Sequence, residues 1–150
     1  MLRLEVIEMA EPSQDALDAV ARYAAVSDEG QKGILAGLLK RAFDVVQRYA
    51  DVALLAGRYR ICAEEQPGIV NVYMGGKAES VTDSDGMAVS FNQRGCKVYV
   101  GTDGCCEVVF ATEVAEADYA RLLPVVMRYA TALYDGKEGR ELKSILGECL

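Results

Sequence analysis

The chain has 150 residues, 51% hydrophobic and 26% charged, the size and mixture of one globular domain. Sixteen Lys and Arg against 23 Asp and Glu leave a net charge of -7, and His and Trp are both absent. This excludes Ser-His-Asp and Cys-His couples, His-ligated zinc and a His proton shuttle, and the acidity disfavours a tight grip on nucleic-acid phosphates.

The five cysteines are Cys62, Cys96, Cys105, Cys106 and Cys149, an odd number, and the opening MLRLEVIEMA carries acids where a signal peptide needs a continuous apolar stretch. A reducing, cytoplasmic and non-secreted setting is therefore expected. Apolar runs such as Leu122 to Met127 reach about six residues, against the roughly 20 needed to span a bilayer, so no membrane partner is expected. Charge is spread evenly along the chain, with no basic arm and no acidic tail: residues 1–57 hold 6 basic and 9 acidic residues, 58–111 hold 5 and 7, and 112–150 hold 5 and 7.

Leu2, Leu4 and Val6 alternate with Arg3 and Glu5, which predicts a short strand over Leu2 to Ile7. Pro12 and Ser13 then open a short amphipathic helix with Leu17, Val20, Ala21 and Ala24 on its apolar stripe and an Asp18/Arg22 pair on the polar side. Ser27 is the expected N-cap of a longer helix, followed by Asp28 and Glu29 at the positive end of the dipole. Ile34, Leu35, Leu38, Leu39, Ala42, Val45, Val46, Tyr49 and Ala53 keep the helical period for about five turns, with Lys40, Asp44, Gln47, Arg48 and Asp51 opposite. Gly33 and Gly37 thin its first turns, and Gly57 is the expected stop.

From Arg58 to Thr112 the pattern changes to short runs rich in Val, Ile, Tyr and Cys. The expected strands are Arg58 to Ala63, Ile69 to Met74, Ala78 to Thr82, Met87 to Phe91, Cys96 to Val100 and Cys105 to Ala111. Turns fall at Pro67-Gly68, Gly75-Gly76, Asp85-Gly86 and Asp103-Gly104, and an antiparallel meander is the economical topology, since nothing between the strands is long enough for a crossover helix. Tyr119, Leu122, Leu123, Val126, Ala130, Leu133 and Tyr134 then mark a helix whose period runs across Pro124, favouring a kink there over a fresh start. Gly136 and Gly139 end it, and Leu142, Ile145, Leu146 and Cys149 mark a short terminal helix. The fold class is thus α+β in a single domain, 1–150: N-terminal helices over 1–57, a central antiparallel β-meander over 58–112, and C-terminal helices over 113–150 packed with them around or beside the meander.

No catalytic constellation emerges. Gly75-Gly76-Lys77 lacks the first Gly and the final Ser or Thr of a phosphate loop, because Asn71 and Ala78 stand there. Asp83-Ser84-Asp85-Gly86 lacks the first and twelfth ligands of a calcium loop, so both read as turns. Cys105 and Cys106 sit next to each other on a strand and point to opposite faces, and free Cys is most simply a small buried hydrophobe. Glu64 and Glu65 read as solvated surface. No catalytic, cofactor-binding or metal-binding residue is assigned, no cofactor is implied, and no enzymatic activity is expected.

Two helix ends carry a resemblance. GLLKRAFDVVQRYADVALLAGRYRI, residues 37–61, is a long helix with an aromatic near its end that passes through a short apolar turn into a strand, and DYARLLPVVMRYATALYDGKEG, residues 118–139, ends in an apolar-Tyr-acid-Gly-Lys-Glu run. With a short helix before the first and a β region between them, the chain resembles the phage head-tail connector (head completion or adaptor) family. Helices in that family end near E-x-Y-T-G-R and L-Y-E-N-R-E; Val46 to Ala50 and Leu133 to Glu138 stand in those places, and Ala50-Asp51-Val52 replaces Thr-Gly-Arg, as in a remote prophage-type member. The resemblance implies a structural subunit of an oligomeric ring below the portal, which extends the DNA channel and joins head to tail. Its implied partners are other copies of itself, the portal protein and a tail or stopper protein, with at most loose, non-specific contact with DNA, in the virion or the host bacterial cytoplasm. The residues alone leave a second reading, a small cytoplasmic ligand-binding or regulatory domain whose β region shapes a pocket.

Overall fold

The computed structural model describes residues 2–64, 68–102 and 104–149. Backbone contacts gather into two compact units, 1–10 with 56–113, and 11–55 with 114–150. The class is α+β, with helices towards both ends of the chain and antiparallel strands between them.

The first unit contains two antiparallel sheets. β1 (Leu2–Met9), β2 (Gly57–Ala63), β7 (Cys106–Thr112) and β4 (Lys77–Asp83) lie in the order β1-β2-β7-β4, and β3 (Ile69–Asn71), β6 (Lys97–Val100) and β5 (Phe91–Arg94) form a second sheet in the order β3-β6-β5. The antiparallel expectation holds; the meander does not. β2 pairs with β7, far along the chain, because that register puts Tyr59, Ile61 and Ala63 beside Phe110, Val108 and Cys106 on one buried face. The Tyr59 and Phe110 rings stack with centroids 5.4 Å apart. Burial of so many apolar side chains outweighs the loop-closure entropy of a non-local pairing, which grows only logarithmically with loop length. The strand expected over Leu2 to Ile7 forms as β1 and joins this sheet, so the β unit takes in residues ahead of the N-terminal helices.

Strand limits shift in several places. The strand expected over Ile69 to Met74 ends at Asn71, and the one expected from Cys105 starts at Cys106. Met87 to Phe91 is not a strand: Ala88 makes an isolated bridge to Thr82, and β5 starts only at Phe91. Cys96 leaves the expected strand for the Gly95-Cys96 turn of the β5–β6 hairpin, where Gly95 at φ +60° supplies the positive φ needed at the first central position. At Gly75-Gly76 the chain passes from the second sheet to the first, and a Cβ on Gly76 would run into the Phe110 ring. Pro67 of the Pro67-Gly68 turn, Asp103 of the Asp103-Gly104 turn, Glu65 and the Cys149 side chain lie outside the described residues.

The second unit is helical: α1 (Gln14–Tyr23), α2 (Glu29–Ala50), α3 (Glu116–Tyr134) and α4 (Arg140–Leu146), followed by a 3-10 turn, Gly147–Cys149. Ser13 caps α1 as expected, its Oγ accepting from Ala16 N at 3.1 Å. The cap of α2 is one residue later than expected. Asp28, not Ser27, has the capping geometry, and its carboxylate accepts from Gln31 N at 3.0 Å, joining side-chain capping to the dipole interaction. α2 and α3 run antiparallel, with Phe43 stacked on Tyr119 at 5.9 Å and Tyr134 Oη donating to Gln31 Oε1 at 2.8 Å. Val20, Leu35, Leu39, Val46, Leu122 and Val126 fill the core between the helices. α3 continues through Pro124 without a restart. Pro124 and Ala120 are both exposed, so water can satisfy the Ala120 carbonyl that Pro124 cannot bond.

α2 ends at Ala50, well before Gly57, and Asp51 takes the left-handed C-cap conformation at φ +56°. Gln47 explains this end. Placed on the polar face by its period, it is fully buried instead, and its Oε1 accepts from Leu54 N at 3.0 Å and Leu55 N at 3.1 Å. Its backbone carbonyl accepts from Val52 N at 3.2 Å. One amide side chain thereby satisfies the backbone of a buried apolar turn, Ala53, Leu54 and Leu55, which could not otherwise leave water cheaply. Gln47→Leu preserves the volume but strands both N–H groups, and is expected to cost about 3 kcal/mol in urea unfolding; a loss below about 0.5 kcal/mol would show that the turn does not depend on this amide.

Candidate functional site

The outer face of the four-stranded sheet carries a row of polar side chains that the strand register assembles. Arg3 lies opposite Cys62, Cys62 opposite Glu107, and Glu107 opposite Thr82, so one row crosses β1, β2, β7 and β4. Cys62 Sγ lies 3.8 Å from Glu107 Oε1. Asp83, Glu64 and Cys105 complete a hollow of about 340 Å³ around this row.

Its charges are mostly neutralised within the sheet. Arg3 Nε meets Glu5 Oε1 at 3.0 Å, and Arg60 reaches both Glu5 at 3.5 Å and Glu107 at 3.7 Å. The hydrogen bond to Cys62 and the Glu5 carboxylate raise the Arg3 guanidinium above its ordinary value. Arg58 is raised likewise by its hydrogen bond and charge pairing with Glu79, at 2.8 Å. These pairs are solvent-exposed, where ion pairs contribute little to stability.

Cys105 stands just ahead of β7, outside the strand expected to hold it, and Cys106 is the first residue of that strand. Cys105 is exposed and its Sγ donates to the Glu64 carbonyl at 2.7 Å, while Cys106 is buried. Burial, with Cys105 adjacent, pushes the Cys106 thiol up, away from the thiolate form. The small-hydrophobe expectation therefore fits Cys106 and fails for exposed Cys96 and Cys105; Cys62 is intermediate. At Asp83-Ser84-Asp85-Gly86, Asp83 Oδ1 accepts from Asp85 N and Met87 N, both at 2.9 Å, which makes the segment a self-bonded turn. Gly75-Gly76 is also a turn, with Gly76 N donating to the Tyr73 carbonyl at 2.9 Å. Among the described residues, no group of three or more Cys, Asp or Glu could hold a metal ion, and no helix is long and apolar enough to cross a membrane.

The alternation of Arg3 and Glu5, and of Arg58, Arg60 and Cys62, was a legible signal for one charged sheet face. The row itself was not legible, because only the β2–β7 register brings Glu107 beside Cys62.

The fold is one shared with chains of gene transfer agent particles. The chain is similar to a chain in the neck of an empty gene transfer agent particle computed with C6 symmetry, with a TM-score of 0.63, 13% identity, and coverage of 98% of this chain and 94% of that one. A chain from the virion of the native gene transfer agent particle gives 0.59, 12% identity and coverage of 96% and 93%. One from the native neck computed with C12 symmetry gives 0.56, 12% identity and coverage of 95% and 94%. No protein-family model and no curated protein matches the chain.

The thiols give a direct check on this face. Iodoacetamide should modify Cys96 and Cys105 in the folded protein and reach Cys106 only on unfolding, as read by peptide mass spectrometry; modification of Cys106 as fast as Cys96 would contradict its burial.

Proposed function

We propose that this chain is a non-enzymatic head-tail connector of a phage or prophage, a head completion or adaptor subunit. Copies form an oligomeric ring below the portal, extend the DNA channel and join head to tail. The observation that carries this reading is the likeness to gene transfer agent neck chains over nearly the whole of both chains, helices and β unit together.

Physical features support it. A ring needs head-to-tail contacts between two different patches on each subunit, and exposed helix faces and sheet edges supply candidate surfaces. A net charge of -7 suits a conduit, because a wall that leaves phosphates un-neutralised lets DNA pass. The partners are the portal on one side and a tail or stopper protein on the other, and the working location is the virion after assembly in the host cytoplasm.

Deletion of the gene should yield DNA-filled heads and separate tails, and adding the purified chain should rejoin them, with a ring of new density below the portal in electron micrographs. Joined particles from the deletion strain would contradict the reading.

A further inference from the structure

Charge that is even along the sequence is segregated in the fold. The outward face of the β3-β6-β5 sheet is set by its register: Ile69, Tyr99 and Asn92 form one row and Asn71, Lys97 and Arg94 the next, while the residues between, Val70 and Val98, are fully buried. All six are exposed. Residues 68–76 carry no charge, and residues 86–102 carry Arg94 and Lys97 and no acid, in a chain of net charge -7. The face is therefore cationic, with Ile69 43% and Tyr99 38% exposed beside the charges.

The opposite combination occurs in the helical unit. Residues 11–32 hold five acids, Glu11, Asp15, Asp18, Asp28 and Glu29, against Arg22 and Lys32. Between α1 and α2 lies a groove of about 240 Å³ whose lining includes Leu17, Asp18, Glu29, Lys32, Gly33 and Ala36, with Lys32 Nζ 3.4 Å from Glu29 Oε1. Gly33 leaves its wall open, since nothing lies within 4 Å of where a Cβ would stand. Leu17 and Ala36, both in its lining, are half-buried.

We propose that the cationic face of the β5–β6 hairpin sheet in one copy docks on the acidic α1–α2 groove of the next copy. The inference rests on the ring reading and names the contact that builds the ring. Opposite charge fixes the register and speeds encounter, and Ile69 and Tyr99 on one surface with Leu17 and Ala36 on the other supply area to bury. The two patches differ, so the contact is head-to-tail and leaves one free patch at each end of a growing assembly. Exposed Ile69 and Tyr99 favour a protein surface over nucleic acid, whose backbone offers an aliphatic side chain nothing to bury against.

The test uses two variants, each with one patch neutralised: Arg94→Ser with Lys97→Ser, and Asp18→Asn with Glu29→Gln. All four side chains are at the surface, so both variants should fold, which thermal melts will check. In sedimentation velocity at low salt, the wild type should form species larger than a dimer, and each variant alone should need about tenfold more protein to associate, equivalent to about 1.4 kcal/mol. An equimolar mixture should stop at a 1:1 dimer, because it holds only one pair of intact patches. Raising the salt should weaken every species. Variants that assemble like the wild type overturn the assignment of the patches while the gene-deletion result still stands for the ring. A wild type that stays monomeric at all concentrations overturns the attraction itself. Unchanged assembly of the Arg94→Ser, Lys97→Ser variant together with lost binding of a short DNA duplex would give the hairpin face to nucleic acid and overturn the proposal.

Discussion

The β unit depends on one row of backbone pairing, Met9 with Gly57 and Gly57 with Thr112. The chain passes between its two compact units three times, near residues 10, 55 and 113, and all three passages lie beside this row. The row is reinforced locally. Ala10 N donates to the Ala56 carbonyl at 2.8 Å, Gly57 N to Thr112 Oγ1 at 3.1 Å, and Thr112 Oγ1 lies 3.4 Å from the Gly57 carbonyl. A β unit inserted in a helical chain must bring its entry and exit strands together, and here that junction is a buried threonine bonded to a glycine whose Cβ would meet the Glu8 carbonyl at 2.8 Å. Only glycine fits there without a shift of the backbone.

Much of this architecture is legible in the residues because local physics decides it. The α2 and α3 periods, the Ser13 cap, the Gly136 and Gly139 ends and most strand positions follow from burial pattern and backbone preference. What is not legible depends on tertiary context. Gln47 reads as polar surface from its period, and only the turn it satisfies makes burial favourable. The β2–β7 pairing joins segments far apart, and no local pattern encodes it. The β5–β6 hairpin was encoded by Arg94-Gly95-Cys96-Lys97, but the apolar run before it drew the expected strand too early. Asp28 and Ser27 are both good caps, so sequence alone does not choose between them.

The candidate site is even less local. The Arg3, Cys62, Glu107 and Thr82 row needs three registers at once, and its charges are balanced by Glu5 and Arg60 within the same sheet. A face with its charges paired internally is suited to structure more than to holding a charged ligand. The hairpin sheet differs, with two cations and no acid among residues 86–102. An acidic chain with one cationic face carries the asymmetry that a head-to-tail assembly requires, and segment-by-segment charge counts conceal it.

The dependence on the Met9, Gly57 and Thr112 row is tested most directly by hydrogen exchange on Thr112→Val, which keeps the shape of the side chain and removes its hydroxyl. The Gly57 amide and the adjoining ends of β2 and β7 should exchange faster than in the wild type, with a stability loss of about 1–3 kcal/mol from the unsatisfied buried group. Unchanged exchange at Gly57 and unchanged stability would show that the junction is held by something other than this row.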